Sequence, residues 1–234
     1  LCAGCSEVAD TSLSPTPMSQ LLDALPRMPE GHGRRLMGSI TSGDLDRLLA
    51  KAAKGKSPGL DDVPVEAYIY GDESTVRPIL LGAINEILTT GEVSDEDKGG
   101  MVRFLRKKEP ATVITNLRPI TLLCCAYKLA TSVIHDRLRS IVEDYQLIAD
   151  PQEGTRRRHS TLRQLQRLEM ARSKAEKEGK QWIVVQLDFC SAFNSIDHSA
   201  MFEILKTYGI PDVELLENLY KNSWYTVDGK EKDL

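Results

Sequence analysis

The 234-residue sequence lacks the features that mark several classes of protein. No apolar run approaches the roughly 18 residues that a membrane-spanning helix needs. No basic segment followed by an apolar stretch stands near the N-terminus, so no secretion signal is predicted. The five cysteines are odd in number and include the adjacent pair Cys124 and Cys125, which argues against a disulfide framework. These absences predict an intracellular protein, of the nucleus or cytoplasm, without a membrane partner.

The first forty residues contain one pair of cysteines whose spacing is compatible with metal binding. Cys2-x-x-Cys5 has the separation of two zinc ligands, but the sequence holds no second Cys-x-x-Cys and no nearby His pair. A coincidence of composition is the alternative, so the role of the two cysteines stays open. Residues 1–40 are rich in Ser, Pro, Thr and Gly, which predicts a mostly disordered leader.

The chain has little net charge, but the charges are segregated. Residues 103–180 contain 17 Lys and Arg against 9 Asp and Glu, whereas the rest of the chain contains 13 against 25. A basic middle between acidic ends is typical of a nucleic-acid groove. The alternative is a set of solvated helix faces, and charge alone does not separate the two.

Periodicity predicts a mostly helical chain with a few strands. Residues 160–178 form a predicted helix with Leu162, Leu165 and Leu168 facing inward, and 182–187 has the length and β-branched content of a buried strand. The fold class is therefore α+β or α/β. We place domain boundaries at 1–40 (leader), 41–180 and 181–234.

Asp188 ends the predicted strand and is followed five residues later by Phe193. A strand holds a carboxylate rigidly at its end, as a divalent-metal ligand requires. The alternative is an Asp that caps the short helix after the strand. Position alone favours the cap.

The segment Leu187-Asp-Phe-Cys-Ser-Ala-Phe-Asn-Ser-Ile-Asp-His198 resembles motif A of reverse transcriptases, above all those of LINE-type, non-LTR retrotransposons. Other segments match that family in the right order: Lys56-Ser-Pro-Gly-Leu-Asp61, Lys107-Lys108 with Asn116-Leu-Arg-Pro-Ile-Thr-Leu-Leu123, Gln152-x-Gly154 with Ser160-Thr161, and 205–210. The resemblance runs from about Asp44 to the last residue. It implies the fingers and an incomplete palm of a right-hand polymerase fold.

The resemblance also implies a chemistry, RNA-directed DNA polymerisation by two-metal nucleotidyl transfer. Asp188 would bind both Mg²⁺ ions, with Mn²⁺ as a substitute, and the backbone carbonyl of Phe189 would assist. Phe193 would lie under the sugar and exclude a 2′ hydroxyl, although core packing is its ordinary role. Lys107 or Lys108 and Arg118 would contact the incoming deoxynucleoside triphosphate.

Basic residues outside the nucleotide site would hold the RNA template and DNA primer through their phosphates, namely Lys56, Arg156, Arg157, Arg158 and Arg163. A solvated basic surface is the alternative for all of them. The oligomeric state is not predicted.

The sequence departs from the family at several motif positions. Asp62 stands where a Gly is usual, Thr155 replaces a Phe, Arg158-His159 replaces Gly-Arg, and Asn194 replaces an Asp. The family's later Gly-x-Pro-Gln-Gly and Ala-Asp-Asp motifs do not occur in these 234 residues. Because one carboxylate cannot hold two Mg²⁺ ions, we expect this truncated chain to be inactive by itself. Three interpretations remain: a polymerase fragment, a non-catalytic RNA- or DNA-binding remnant, and an inert relic.

Overall fold

A computed structural model describes residues 17–110, 112–113, 116–189 and 191–227, and the backbone of 230–233. Its helices are α1 Met18–Asp23, α2 Ser42–Lys51, α3 Val65–Tyr70, α4 Val76–Thr90, α5 Asp95–Lys98, α6 Cys125–Asp144, α7 Thr161–Lys177, α8 His198–Tyr208 and α9 Val213–Tyr220. Its strands are β1 Gly99–Arg106, β2 Leu117–Leu122, β3 Trp224–Val227 and β4 Lys230–Asp233. None of these helices is long and apolar enough to span a membrane.

The strands form one mixed sheet in the order β2-β1-β3-β4. β1 and β2 are antiparallel neighbours with Met101 opposite Leu122, whereas β1 and β3 run parallel. The close approach at β1 requires glycine, because a Cβ at Gly99 would lie 2.5 Å from the Trp224 ring. A small mixed sheet within a largely helical chain is the α+β arrangement that was predicted.

The chain divides into two compact units, which differ from the domain boundaries drawn from the sequence. The first comprises Leu1–His32 and Arg139–Gly209, and the second comprises Gly33–Leu138 and Ile210–Leu234. The second unit holds the sheet with α2 to α5, most of α6, and α9.

The core of the second unit is built from one face of α2 and one face of α4. Leu45 and Leu49 of α2 and the α4 side chains Leu80, Ile84 and Leu88 are buried. Helix α2 begins with a capping box, in which Thr41 Oγ1 accepts from the Asp44 N–H and Asp44 accepts from the Thr41 N–H. Gly91 ends α4 in the left-handed conformation at φ 68°.

Residues 33–40 belong to this core, which differs from the disordered leader predicted for 1–40. Leu36 and Met37 are fully buried. The Asp212 carboxylate accepts from the Leu36 and Met37 N–H groups, both at 2.9 Å, and Arg137 donates to the Leu36 and Gly38 carbonyls. Composition missed this segment because the groups that hold it are about 100 and 175 residues away in sequence. Residues 1–16, with Cys2 and Cys5, lie outside the described residues.

The first unit contains α1, the end of α6, α7 and α8. Ser160 caps α7 by accepting from the Arg163 N–H, and Asp197 caps α8 by accepting from the Ala200 N–H. The predicted inward face of α7 is wrong, since Leu162, Leu165 and Leu168 are exposed. The opposite side of the helix is held instead, because its arginines pair with carboxylates of the loop before it.

The predicted strand at 182–187 is also wrong. This segment has no regular structure, and its apolar side chains are exposed, with Leu187 at 84%. A strand is stable only when its backbone groups pair with a neighbour, and the sheet of the described residues consists of β1 to β4 without it. The composition of 182–187 is typical of a strand, but the described part of the chain supplies no neighbouring strand with which it pairs.

Candidate nucleotide and nucleic-acid site

The antiparallel pair β1–β2 brings three of the predicted nucleotide-binding residues together in the second unit. Lys107 and Lys108 follow β1 directly, and the N–H groups of both donate to the Asn116 carbonyl, at 2.8 and 3.1 Å. Arg118 lies on β2 opposite Leu105. The register therefore places the Lys pair and Arg118 at the same end of the hairpin.

These three cations are exposed, and none forms an ion pair with a carboxylate of the described residues. Their neighbour Arg106 differs, because its guanidinium is 2.7 Å from Glu109. An exposed cation without a counter-ion attracts phosphate more strongly than a paired one. The hairpin end therefore has the charge and geometry of a phosphate-binding surface.

The loop of the first motif packs against the same hairpin. A Cβ at Gly59 would lie 2.4 Å from the backbone nitrogen of Cys124, so only glycine permits this contact. Ser57, Pro58 and Asp62 of the loop line a cavity of about 790 Å³ together with strand residues of the hairpin. Lys56 is exposed beside it. The structure thus joins two segments that the sequence presents about fifty residues apart.

Arg103 is a candidate phosphate contact that the sequence analysis did not single out. It lines the same cavity and lies opposite Ile120, two positions from the pair formed by Leu105 and Arg118. Residues two apart on a strand share a face, so Arg103 and Arg118 are on one side of the hairpin. The alternation of side chains along a strand is the sequence signal from which Arg103 could have been identified.

The motif A segment lies in the first unit, and its described residues, 187–189 and 191–198, are exposed. Asp188 follows the irregular segment 182–187, and Phe193 is in a short 3-10 helix, Ala192–Ser195. Phe193 is 89% exposed, so it does not pack in a core. Asp188 does not cap the 3-10 helix either, because the N-cap position is Ser191. Both ordinary roles considered for these residues are therefore absent from the structure.

The described residues do not assemble a two-metal site. No group of three or more His, Cys, Asp or Glu side chains among them could hold a metal ion. Asp188 is the only acidic residue between Gly179 and Ile196, and the next, Asp197, is engaged as the cap of α8. One exposed carboxylate does not meet the coordination that paired Mg²⁺ ions require.

The three consecutive arginines of the predicted template-binding loop are in different environments. Arg156 is 10% exposed and forms a two-pronged ion pair with Glu143, whose oxygens lie at 2.9 and 2.7 Å. The guanidinium of Arg156 lowers the pKa of Glu143 below its usual value. Arg157 and Arg158 are exposed. Arg163 lies 3.6 Å from Glu153 in α7.

Three residues that depart from the family pattern have an unusual backbone conformation. Asp62 and Arg158 stand where Gly is usual, and both have positive φ, 53° and 62°. Thr155, in place of the usual Phe, also has a positive φ of 63°. Non-glycine residues are uncommon in this region, above all β-branched ones. The backbone at these positions thus has a conformation that glycine adopts without strain.

An exposed basic hairpin with a motif loop packed beside it has the charge of a surface that attracts phosphate groups. Residues 105–233, more than half of the chain, match the family described as Reverse transcriptase (RNA-dependent DNA polymerase). The chain belongs to this family.

Curated relatives name the kind of element. The chain is 27% identical to the Transposon TX1 uncharacterized 149 kDa protein of Xenopus laevis, over 90% of this chain and 16% of that protein. It is 26% identical to the Probable RNA-directed DNA polymerase from transposon BS of Drosophila melanogaster, over 74% of this chain and 19% of that protein. A third relative is the Retrovirus-related Pol polyprotein from type-2 retrotransposable element R2DM of Drosophila melanogaster, 22% identical over 83% of this chain and 18% of its own length.

The prediction of a reverse transcriptase domain of the non-LTR retrotransposon type is confirmed by this family and these relatives. The family is one of nucleotidyltransferases, which agrees with the predicted class of enzyme. The chain spans less than a fifth of the length of each of these relatives.

Proposed function

We propose that this chain is the fingers and early palm portion of a retrotransposon reverse transcriptase and that its part is to bind nucleotide and template. The observation that carries the proposal is the β1–β2 hairpin, which gathers Lys107, Lys108 and Arg118 at one end without counter-ions among the described residues. Exposed cations at fixed positions on paired strands suit a triphosphate, whose charge the guanidinium fork and the ammonium groups neutralise.

The nucleic-acid partners in this proposal are an RNA template and a DNA primer. Lys56 and the exposed arginines of the loop after Gly154 supply phosphate contacts, which position a strand without reading its sequence. The exposed ring of Phe104 on the hairpin offers a face on which a base stacks. Phe193 is exposed and in this proposal contacts the sugar of the incoming deoxynucleotide.

Catalysis would belong to the complete protein. When bound, Mg²⁺ or Mn²⁺ supplies charge stabilisation of the attacking and leaving oxygens, and Asp188 is the residue of this chain that we assign to that role. Because the described residues do not make a two-metal site, we expect the 234-residue chain to bind substrates without extending a primer. The single exposed carboxylate is the observation that favours a non-catalytic binding role for the chain by itself.

Binding of a labelled RNA–DNA hybrid and of a deoxynucleoside triphosphate tests the proposal. Arg118→Ala is expected to weaken triphosphate binding about tenfold, because one charge-assisted contact is worth roughly 1–3 kcal/mol. Arg106→Ala is the matched control on the same hairpin, since Glu109 already neutralises that guanidinium. Equal losses in the two variants would refute a specific role for Arg118.

A primer-extension assay with the same protein tests the catalytic part. We expect no product with Mg²⁺ or Mn²⁺ on an RNA template. Metal-dependent product that Asp188→Ala abolishes would show that the chain polymerises unaided. No measurable binding of hybrid at low salt would leave only the inert relic.

A further inference from the structure

A buried carboxylate, Glu153, lies at the centre of the loop that carries the arginines. Its side chain is 6% exposed and faces two guanidinium groups, with Arg163 Nε at 3.6 Å and Arg167 at 3.0 Å, and His159 Nδ1 at 2.9 Å. Glu153 Oε2, the oxygen that faces His159, also accepts from the Ser160 N–H, at 3.3 Å. This oxygen therefore reaches the N-terminal end of the 17-residue helix α7, where a negative charge is favoured.

A charged side chain is buried to this extent only when ion pairs and hydrogen bonds compensate for its lost hydration. Glu153 follows Gln152 at the start of the loop, while its partners stand at the loop's end and in the first turns of α7. One carboxylate thus ties both ends of the segment 154–159 together. Arg167 adds a further link, because it pairs with Asp150 at 2.8 Å.

A second anchor fixes the middle of the loop. Arg156 pairs with Glu143 of α6 and also donates to the carbonyls of Ala149 and Gln152, at 3.2 and 3.3 Å. These contacts account for its burial. Arg156 and Arg163 form ion pairs within the protein, and Arg157 and Arg158, which lie between the two anchors, have exposed side chains.

We propose that Glu153 is a positioning residue that presents Arg157 and Arg158 to the phosphates of an RNA strand, with Arg156 and Arg163 serving the loop's structure rather than the RNA. This rests on the proposed function, because it needs the chain to bind RNA. Preorganisation is the physical reason: a loop already held in its binding conformation loses less conformational entropy when it binds. The positive φ of Arg158 belongs to that held conformation.

The charge effect and the positioning effect of Glu153→Gln have opposite signs, which makes the variant informative. Removal of a negative charge near a basic loop by itself strengthens RNA binding. Loss of the positioning contact weakens it, and we expect about a fivefold weaker affinity for a single-stranded RNA at low salt. Glu169→Gln is the matched control, since it removes the same charge from an exposed ion pair with Arg172 on the same helix.

A double-mutant cycle separates positioning from general destabilisation. In an Arg157→Ala/Arg158→Ala background, which reduces the salt dependence of binding by about two phosphate contacts, Glu153→Gln is expected to have no further effect on affinity. Its effect on the urea midpoint of unfolding stays the same in both backgrounds. If Glu153→Gln does not fold, Glu143→Gln releases the other anchor and is read in the same cycle.

Three results would overturn the inference: Glu153→Gln binds RNA as tightly as Glu169→Gln, it weakens binding equally with and without the two arginines, or the double arginine variant binds like the wild type. These failures leave the hairpin's triphosphate binding intact. A wild-type chain that binds no RNA at low salt would instead overturn the template part of the proposed function, and this inference with it.

Discussion

Asp212 offers the sharpest test of how the second unit is held together. Its carboxylate is 14% exposed and accepts from the backbone N–H groups of Leu36 and Met37, whose side chains are fully buried. Arg35 approaches the same carboxylate at 3.3 Å but is itself largely exposed. Asp212 also has a positive φ of 58°. Three substitutions separate the hydrogen bonds, the charge and the backbone conformation.

Asp212→Ala leaves two N–H groups without their acceptor, and each costs about 1.5 kcal/mol, for a loss of about 3 kcal/mol in the free energy of unfolding. Asp212→Asn keeps an oxygen acceptor and loses the charge, so we expect a loss of about 1 kcal/mol. Asp212→Gly loses the same hydrogen bonds as Ala but removes the strain of the left-handed conformation. We therefore expect Gly to be about 1 kcal/mol less destabilising than Ala.

Urea unfolding followed by tryptophan fluorescence measures these values. A Trp182→Phe background leaves Trp224 as the single tryptophan, and Trp224 is on β3 of the same unit. The slope of free energy against urea should not change across the series. Asn as destabilising as Ala would show that charge, not hydrogen-bond geometry, holds residues 36 and 37. All three within about 0.5 kcal/mol of the wild type would refute the reasoning.

Two further predictions concern backbone strain and pH. Asp62→Gly should stabilise the protein by up to about 1 kcal/mol, because Asp62 has a φ of 53°, and a lower urea midpoint would contradict this. The pKa of Asp44 is lowered from its usual 3.8 to about 2, chiefly by the backbone N–H of Thr41. A lowered carboxylate pKa stabilises the fold above the unfolded value and loses that effect as the pH falls through the folded one. Asp44→Asn should therefore destabilise at pH 6 and cost little near pH 1, below the folded pKa, and an equal cost at both pH values would exclude this linkage.

The helices were largely predictable because their signals are local. Ser160 stands directly before α7, and Gly91 directly follows α4, so each marks the helix end beside it. The apolar faces of α2 and α6 are read from residues three or four apart. The motif residues were found in the same way, since Lys107, Arg118 and Asp188 are identified by short segments. The pairing of β1 with β2, which brings Lys107 and Arg118 to one end of a hairpin, is known only from the folded structure.

What the sequence could not predict depends on partners far along the chain. The burial of Leu36 and Met37 requires Asp212, and the side of α7 that is held requires Glu153. The strand predicted at 182–187 needed a neighbour that composition cannot reveal. The sequence likewise does not distinguish Arg156 from the two arginines that follow it, although Arg156 alone forms the ion pair with Glu143.

The sequence by itself determined the family, the helices and the identity of the candidate site residues, because motifs, caps and periodicity are short-range properties. Tertiary structure alone decided which cations remain exposed and which are neutralised within the protein. The physical reason is that the interaction energy between a buried carboxylate and a cation depends on the distance between them. For residues that are remote in sequence, this distance is set only when the chain folds.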